Sequence, residues 1–126
     1  MKSSEQESEQ RVRIERARAG DGRAFEDLAR AEERALYRHA ARIVGPGPDA
    51  EDVVQDALFS AWRSIASFQG TSFRAWLFRI VTNRALDRVR ARARRFRAER
   101  DETSQELEQY HLVFTGARRP SIELFK

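Results

Sequence analysis

Three groups of residues in this 126-residue chain carry side chains suited to chemistry with a partner. The first is the turn SFQGTSFRAW, residues 67–76, in which Phe68, Phe73 and Trp76 surround a glycine and two hydroxyl residues. Gly70 lets the backbone bend tightly, and Thr71 and Ser72 set hydroxyls beside a helix N-terminus, where exposed N–H groups favour anions. Phe68 and Phe73 offer flat faces on which an unpaired base of any identity stacks. Two phenylalanines at a helix–helix corner also close a core. Phe73 shares a stripe with Trp76 and Ile80, which favours the core for that ring; Phe68 stays open between the two roles.

The second group is a run of arginine. Residues 74–100 hold ten arginines against Asp87 and Glu99, a local charge of +8; the whole chain carries +4, so the remainder carries −4. Arg90, Arg92, Arg94, Arg95 and Arg97 point nearly all round a helix axis. No ion-pair network in a small core uses such a distribution, whereas a polyanion alongside does, because each phosphate contact releases condensed counterions. A solvated helix end without a partner has the same composition. The third group is Asp52, Gln55, Asp56, Phe59 and Arg63, which share one helical face opposite Val54, Ala61 and Ile65. An aromatic ringed by acid and amide has the form of an apolar anchor inside a polar rim. A single exposed apolar residue is also ordinary.

Composition narrows the classes. Of the 24 cationic residues only Lys2 and Lys126 are lysines; the guanidinium's planar fork suits phosphate oxygens and guanine edges, and GC-rich codons produce the same bias. The chain has no cysteine and two histidines, His39 and His111, neither with an obvious nucleophile. An enzyme, a metal site and a cofactor are therefore not expected. The polar, acidic start MKSSEQESEQ lacks the apolar segment of a signal peptide. No stretch approaches the roughly 20 apolar residues of a membrane span, so the expected place is the cytoplasm.

The elements that must position these groups are helices. Asp21 is a plausible N-cap for a helix over roughly 22–44, with Phe25, Leu28, Ala29, Leu36, Ala40 and Ile43 as its apolar stripe. GPGP at 45–48 ends it. Asp49 then caps a helix over about 50–66, with Asp52 completing a capping box, and Val54, Ala57, Leu58, Ala61, Trp62 and Ile65 as its core face. Ser72 or Thr71 caps a third helix, packed through Phe73, Trp76, Leu77 and Ile80, whose arginine-rich end projects past the core. Asn83 and Asp87 fall on the Trp76/Ile80 side, partly buried, with Asp87 expected to pair with Arg42 or Arg38. The fold expected is all-α: a compact three-helix bundle over 20–97, after a disordered or frayed helical leader at 1–19 and before an acidic linker and tail at 98–126.

The stretch DAEDVVQDALFSAWRSIASFQGTSFRAWLFRIVTNRALDRVRAR, with GDGRAFEDLARAEERALYRHAARIVG ahead of it, resembles region 2 of sigma-70 family RNA polymerase sigma factors of the extracytoplasmic-function group, over about residues 19–97. The resemblance implies a transcription initiation subunit without catalysis of its own. It implies that Asp52, Gln55, Asp56, Phe59 and Arg63 dock on a coiled-coil of the largest subunits of core RNA polymerase. The turn and the following helix would open the promoter's minus-ten element and take a flipped base of the non-template strand. By position the pocket is Phe68, Gln69, Gly70, Thr71 and Ser72, with Asn83 reaching in from the helix. Trp76 is the aromatic wedge, and Arg79, Arg84, Arg88, Arg90, Arg92 and the arginines beyond hold phosphates. An anti-sigma factor is a further partner that the resemblance admits. The sequence departs from the family in two places. Housekeeping members have paired tryptophans where Trp76 and Leu77 stand, which implies weaker melting here. Residues 98–126 are too short and polar for the second helical domain that reads the minus-thirty-five element, so an isolated domain, a truncated frame or reliance on a separate protein is expected.

Overall fold

The computed structural model describes residues 4–70 and 72–109, with side chains as far as residue 101. Four α-helices and one 3-10 turn follow in order: α1 (Ser4–Arg18), α2 (Gly22–Val44), α3 (Pro48–Ser64), the turn Ile65–Ser67, and α4 (Phe73–Gln109). Every described element is helical, as the periodicity predicts. The chain divides into two compact units, residues 1–86 and 87–126.

In the first unit, α2 starts where Asp21 predicts. Its carboxylate accepts the backbone N–H groups of Arg23 and Ala24 at 3.1 and 3.2 Å, filling two of the helix's orphan donors. The helix stops at Gly45, whose φ of 92° lies in the left-handed region that a Cβ disfavours. Gly47, at φ 117°, makes the second bend, and its N–H donates to the Tyr37 hydroxyl at 2.9 Å. The start of α3 differs from expectation. Pro48 occupies the first turn and Gly47 stands at the N-cap without a side-chain bond, so Asp49 lies inside the first turn and no Asp49/Asp52 capping box forms. A proline fits there because its missing N–H has no intrahelical partner to lose. At the other end the Ser64 hydroxyl donates back to the Ser60 carbonyl within the helix, and the Ser67 hydroxyl donates to the Ser64 carbonyl, an acceptor that the helix end leaves open.

Of the two states expected for the leader, disordered or frayed helical, the described residues have the helix: α1 lies against α2 and the 3-10 turn and fully buries Ala17. The link to α2 is only residues 19–21, closed by backbone bonds such as Asp21 N–H to Arg16 O at 2.9 Å. A link that short adds little loop-closure entropy. One buried alanine, with an Arg18–Glu15 ion pair at 2.8 Å, thus accompanies a helix whose sequence has no apolar stripe.

The core of the first unit is aromatic at one end and aliphatic at the other. Phe25 of α2 packs on Trp62 of α3 (ring centroids 5.3 Å apart) and on Phe73 of α4 (6.3 Å). Phe68 packs on Phe73 (6.0 Å) and Trp76 (5.1 Å). Leu36, Val53, Leu77 and Val81 are among the largest fully buried side chains, each contributing about 1.5–3 kcal/mol by leaving water. The buried face of α4 is Phe73, Leu77, Val81 and Ala85. Its centre is rotated from the Trp76/Ile80 line that the sequence suggests, and Asn83 and Asp87 are consequently exposed. The expected pairing of Asp87 with α2 is replaced by a bond within its own helix, from Arg90 Nη1 at 3.4 Å.

α4 continues to Gln109, beyond residue 98 where a linker was expected. Residues 98–109 are rich in Glu and Gln and contain no glycine or proline, so intrinsic propensity carries the helix on. The rest of the tail lies outside the described residues. Among the described residues no helix is long and apolar enough to cross a membrane.

Candidate functional site

α3 turns two different faces outward and inward. Ala50, Val53, Val54, Ala57 and Ala61 are buried, while Asp52, Gln55, Asp56, Phe59 and Arg63 are all exposed. The five residues expected to act together therefore do share one accessible face. Phe59 is 61% exposed, and the Arg63 guanidinium lies over its ring, 4.6 Å from the centroid. An exposed cation–π contact is worth about 0.5–1 kcal/mol, which biases the ring toward this pose. The face thus has carboxylates and an amide at its start and an exposed aromatic ring at its end.

Beside it runs a groove of about 690 Å³ between α2 and α3, lined by Glu33, Arg34, Tyr37, Arg38, Glu51, Asp52 and Gln55. Sequence reasoning missed the α2 side. The signal available was the i, i+4 pair Glu33/Tyr37 at the edge of α2's apolar stripe.

The turn is a different matter. Phe68 is 5% exposed, with its ring against Phe73 and Trp76. Its assignment as a base-stacking surface is corrected: the ring closes the core, and a ring packed on two neighbours has no free face for a base. Gly70 has no left-handed φ, and a Cβ there would meet the Phe68 ring at an ordinary 3.6 Å. The expectation that glycine is needed for a tight bend at this point fails on geometry. Gln69 and Ser72 are exposed as expected, and Thr71 lies outside the described residues. The Ser72 hydroxyl oxygen accepts the Ala75 N–H at 3.0 Å.

Along α4, Ser72, Trp76, Arg79 and Asn83 recur at i, i+4, i+7 and i+11 and so share one face. Ser72, Arg79 and Asn83 are exposed, and Trp76 is half-buried. A hydroxyl, an indole edge, a guanidinium and an amide in a line offer donors and acceptors for both phosphates and base edges. Arg84, grouped with them by sequence, is not part of this line. It lies about 100° round the helix from that line and donates from Nη2 to the Ser60 hydroxyl, tying α4 to α3.

In the second unit, Arg90, Arg94 and Arg97 are exposed at i, i+4 and i+7 on one face of the helix, with Arg90 paired to Asp87. Arg88 and Arg92 are half-buried on the opposite side. Arg95 is exposed on that same opposite side, so guanidiniums are accessible on more than one face of the helix. Among the described residues no group of three or more His, Asp or Glu is placed to hold a metal ion.

These features find their counterpart in known proteins. Residues 28–95 match the model of the family described as sigma-70 region 2, and the chain belongs to that family, among its extracytoplasmic-function members. It is 37% identical over 91 residues to the RNA polymerase sigma-H factor of Pseudomonas aeruginosa, a match covering 71% of this chain and 47% of that protein. With the ECF RNA polymerase sigma-E factor of Escherichia coli it is 40% identical over 93 residues, 73% of this chain and 48% of the other. With the ECF RNA polymerase sigma factor SigM of Mycobacterium tuberculosis the figures are 44% over 73 residues, 57% and 37%. The matches therefore span less than half the length of these relatives. An NMR structure of an engineered region 2 of sigmaE in complex with GTAAAA superposes with a TM-score of 0.63 at 35% identity, covering 68% of this chain and 90% of that one.

Proposed function

We propose that the chain acts as the region 2 part of a sigma factor: α3 docks on core RNA polymerase, and the turn and α4 read the unpaired non-template strand of a promoter's minus-ten element. The observation that carries this reading is the pair of separate exposed faces in the first unit, one acidic with an exposed aromatic on α3 and one cationic and amide-bearing on α4. An acidic face beside a basic one cannot serve a single polyanion, because its carboxylates repel phosphate. Two partners of opposite charge satisfy both. The complex of the engineered sigmaE region with GTAAAA supports strand reading on this scaffold.

In this reading Asp52, Gln55, Asp56, Phe59 and Arg63 meet a coiled-coil of the largest polymerase subunits. Phe59 is the anchor and the carboxylates form the rim that steers association. Gln69, Ser72 and Asn83 present hydrogen-bonding groups to a base turned out of the stack, with Thr71 as the remaining member of the turn. Arg79 holds the strand's phosphates in the first unit; in the second unit, taken by itself, Arg88, Arg90 and Arg92 are proposed to contact phosphate. Turning a base out costs a few kcal/mol, which hydrogen bonds to its freed edge offset. Trp76 supplies the partly exposed indole edge against the neighbouring base. The place of action is the cytoplasm, and a protein that covers the α3 face in the manner of an anti-sigma factor would block it.

The test is binding of the full chain to core RNA polymerase, followed by binding of that complex to single-stranded GTAAAA and to random-sequence duplex. Core binding with preference for the strand supports the proposal. A chain that ignores the polymerase and prefers duplex of any sequence is instead a basic DNA-coating protein, and the proposal fails.

A further inference from the structure

We infer that residues 110–126 fold back along α4 and seat their apolar side chains on a strip formed by Val89, Ala93 and Phe96, where they screen Arg88 and Arg92 from phosphate. The docking stands on the second unit alone; its effect on the strand rests on the strand-reading function proposed above. Among the described residues, the second unit is a single helix, the part of α4 from Asp87 to Gln109. A lone helix leaves every side open to water, and this one does not. Ala93 is 9% exposed, and Val89 and Phe96 are half-buried. Ala98, flanked by Arg94 and Arg95 on the same helix, is exposed, so shading by long neighbours along the helix does not account for Ala93. By the 3.6-residue period, Val89, Ala93, Phe96 and Arg100 fall within an arc of about 60°. Arg88, Arg92, Phe96 and Arg100, on or beside that arc, each make an interaction. The chain left in this unit to cover the arc is residues 110–126.

The sequence and reach of this segment suit the role. Leu112, Val113 and Phe114 form one apolar group and Ile122, Leu124 and Phe125 another, on either side of TGARRP. Such groups gain by leaving water when an apolar strip lies within reach. Along α4 the way back from Gln109 is about 20 Å to Phe96 and about 30 Å to Val89, at 1.5 Å per residue. Residues 110–126 span about 25 Å as a helix and up to about 55 Å extended, so a partly extended segment covers the whole strip. Arg88 and Arg92 lie along one edge of the strip and are half-buried, whereas Arg90, Arg94 and Arg97 beyond its other edge are exposed. The seated segment therefore divides the arginines: one row stays open to phosphate, and Arg88 and Arg92 join it only when the segment leaves. Arg118, Arg119 and Lys126 outnumber Glu123 in the segment, so apolar contact and not charge attraction holds it. The like charge on both sides leaves the seat open to displacement by a polyanion.

The test uses the full chain, which has no cysteine of its own, so a single introduced thiol reports cover directly. Ala93→Cys is expected to react with a thiol reagent at least about tenfold more slowly than Ala98→Cys, at every protein concentration. Adding Leu112→Ser and Phe114→Ser to each is expected to bring the two rates within about twofold. With a single strand of about 20 nucleotides that carries GTAAAA, the Leu112→Ser/Phe114→Ser chain is expected to show a salt dependence steeper than wild type by about 1.4 in log K per log salt, the share of two further phosphate contacts. Equal labelling of Ala93→Cys and Ala98→Cys, or slow Ala93→Cys labelling that the serine changes do not relieve, overturns the docking. Cover that is lost on dilution makes the occupant a second copy of the chain and overturns it too. A freed Ala93→Cys with an unaltered salt slope overturns the screening of Arg88 and Arg92. No preference of either chain for the GTAAAA strand over a shuffled one overturns the strand-reading function, while the labelling rates still decide the docking.

Discussion

Replacing Phe68 by alanine separates a core role from a base-reading role. The ring is 5% exposed and touches Phe73 and Trp76 across centroid distances of 6.0 and 5.1 Å. Removing a buried phenyl group costs about 3–5 kcal/mol, from lost transfer energy and from the cavity left behind. Phe68 lies in a connection that can partly collapse, so the lower end, about 3 kcal/mol, is expected. In a domain of this size each kcal/mol shifts the melting temperature by about 4–8 °C, which puts the drop at roughly 12–24 °C. Phe59→Ala is the control: the ring is 61% exposed and held only by Arg63, so a loss within about 1 kcal/mol is expected. Circular dichroism melts of the full chain measure both. Should Phe68→Ala melt within a few degrees of wild type while losing affinity for GTAAAA, the ring is a base platform and its assignment to the core is wrong.

Three further outcomes follow from the geometry. Asp21→Ala removes the acceptor for two backbone N–H groups; it should lower the urea midpoint by the equivalent of about 1 kcal/mol without changing the slope. Tyr37→Phe deletes the acceptor for the Gly47 N–H; a cost of about 1 kcal/mol is expected, together with faster hydrogen exchange at that amide. Arg79→Ala should reduce the salt dependence of binding to single-stranded GTAAAA by about 0.7 in log K per log salt, one phosphate contact's share, with base preference unchanged.

The helices were legible because their stripes are strong and their punctuation is chemical. Asp21 announces α2, the GPGP link ends it, and the 3.6-residue period puts Phe59 opposite Val54 and Ala61 before any coordinates exist. What the sequence hid were choices settled by tertiary contact. α1 has no apolar stripe, and only the packing of Ala17 reveals that it docks. Phe68 reads equally as core or as ligand contact until Phe73 and Trp76 are seen around it. The rotation of α4's buried face depends on which of Trp76, Leu77 and Ile80 α2 and α3 accept, and that rotation alone brings Asn83 out and turns Arg84 toward Ser60.

The central claim is that α3 and α4 carry two independent docking faces, and a reciprocal experiment tests it most directly. Charge reversal of Asp52 and Asp56 to arginine, and separately Asn83→Ala, are compared for binding to core RNA polymerase and, without polymerase, to single-stranded GTAAAA. The reversal should weaken polymerase binding at least tenfold, on the order expected for opposed like charges, and leave strand affinity undiminished; Asn83→Ala should do the opposite. If each change weakens both interactions together, the two faces are one surface and the account is contradicted.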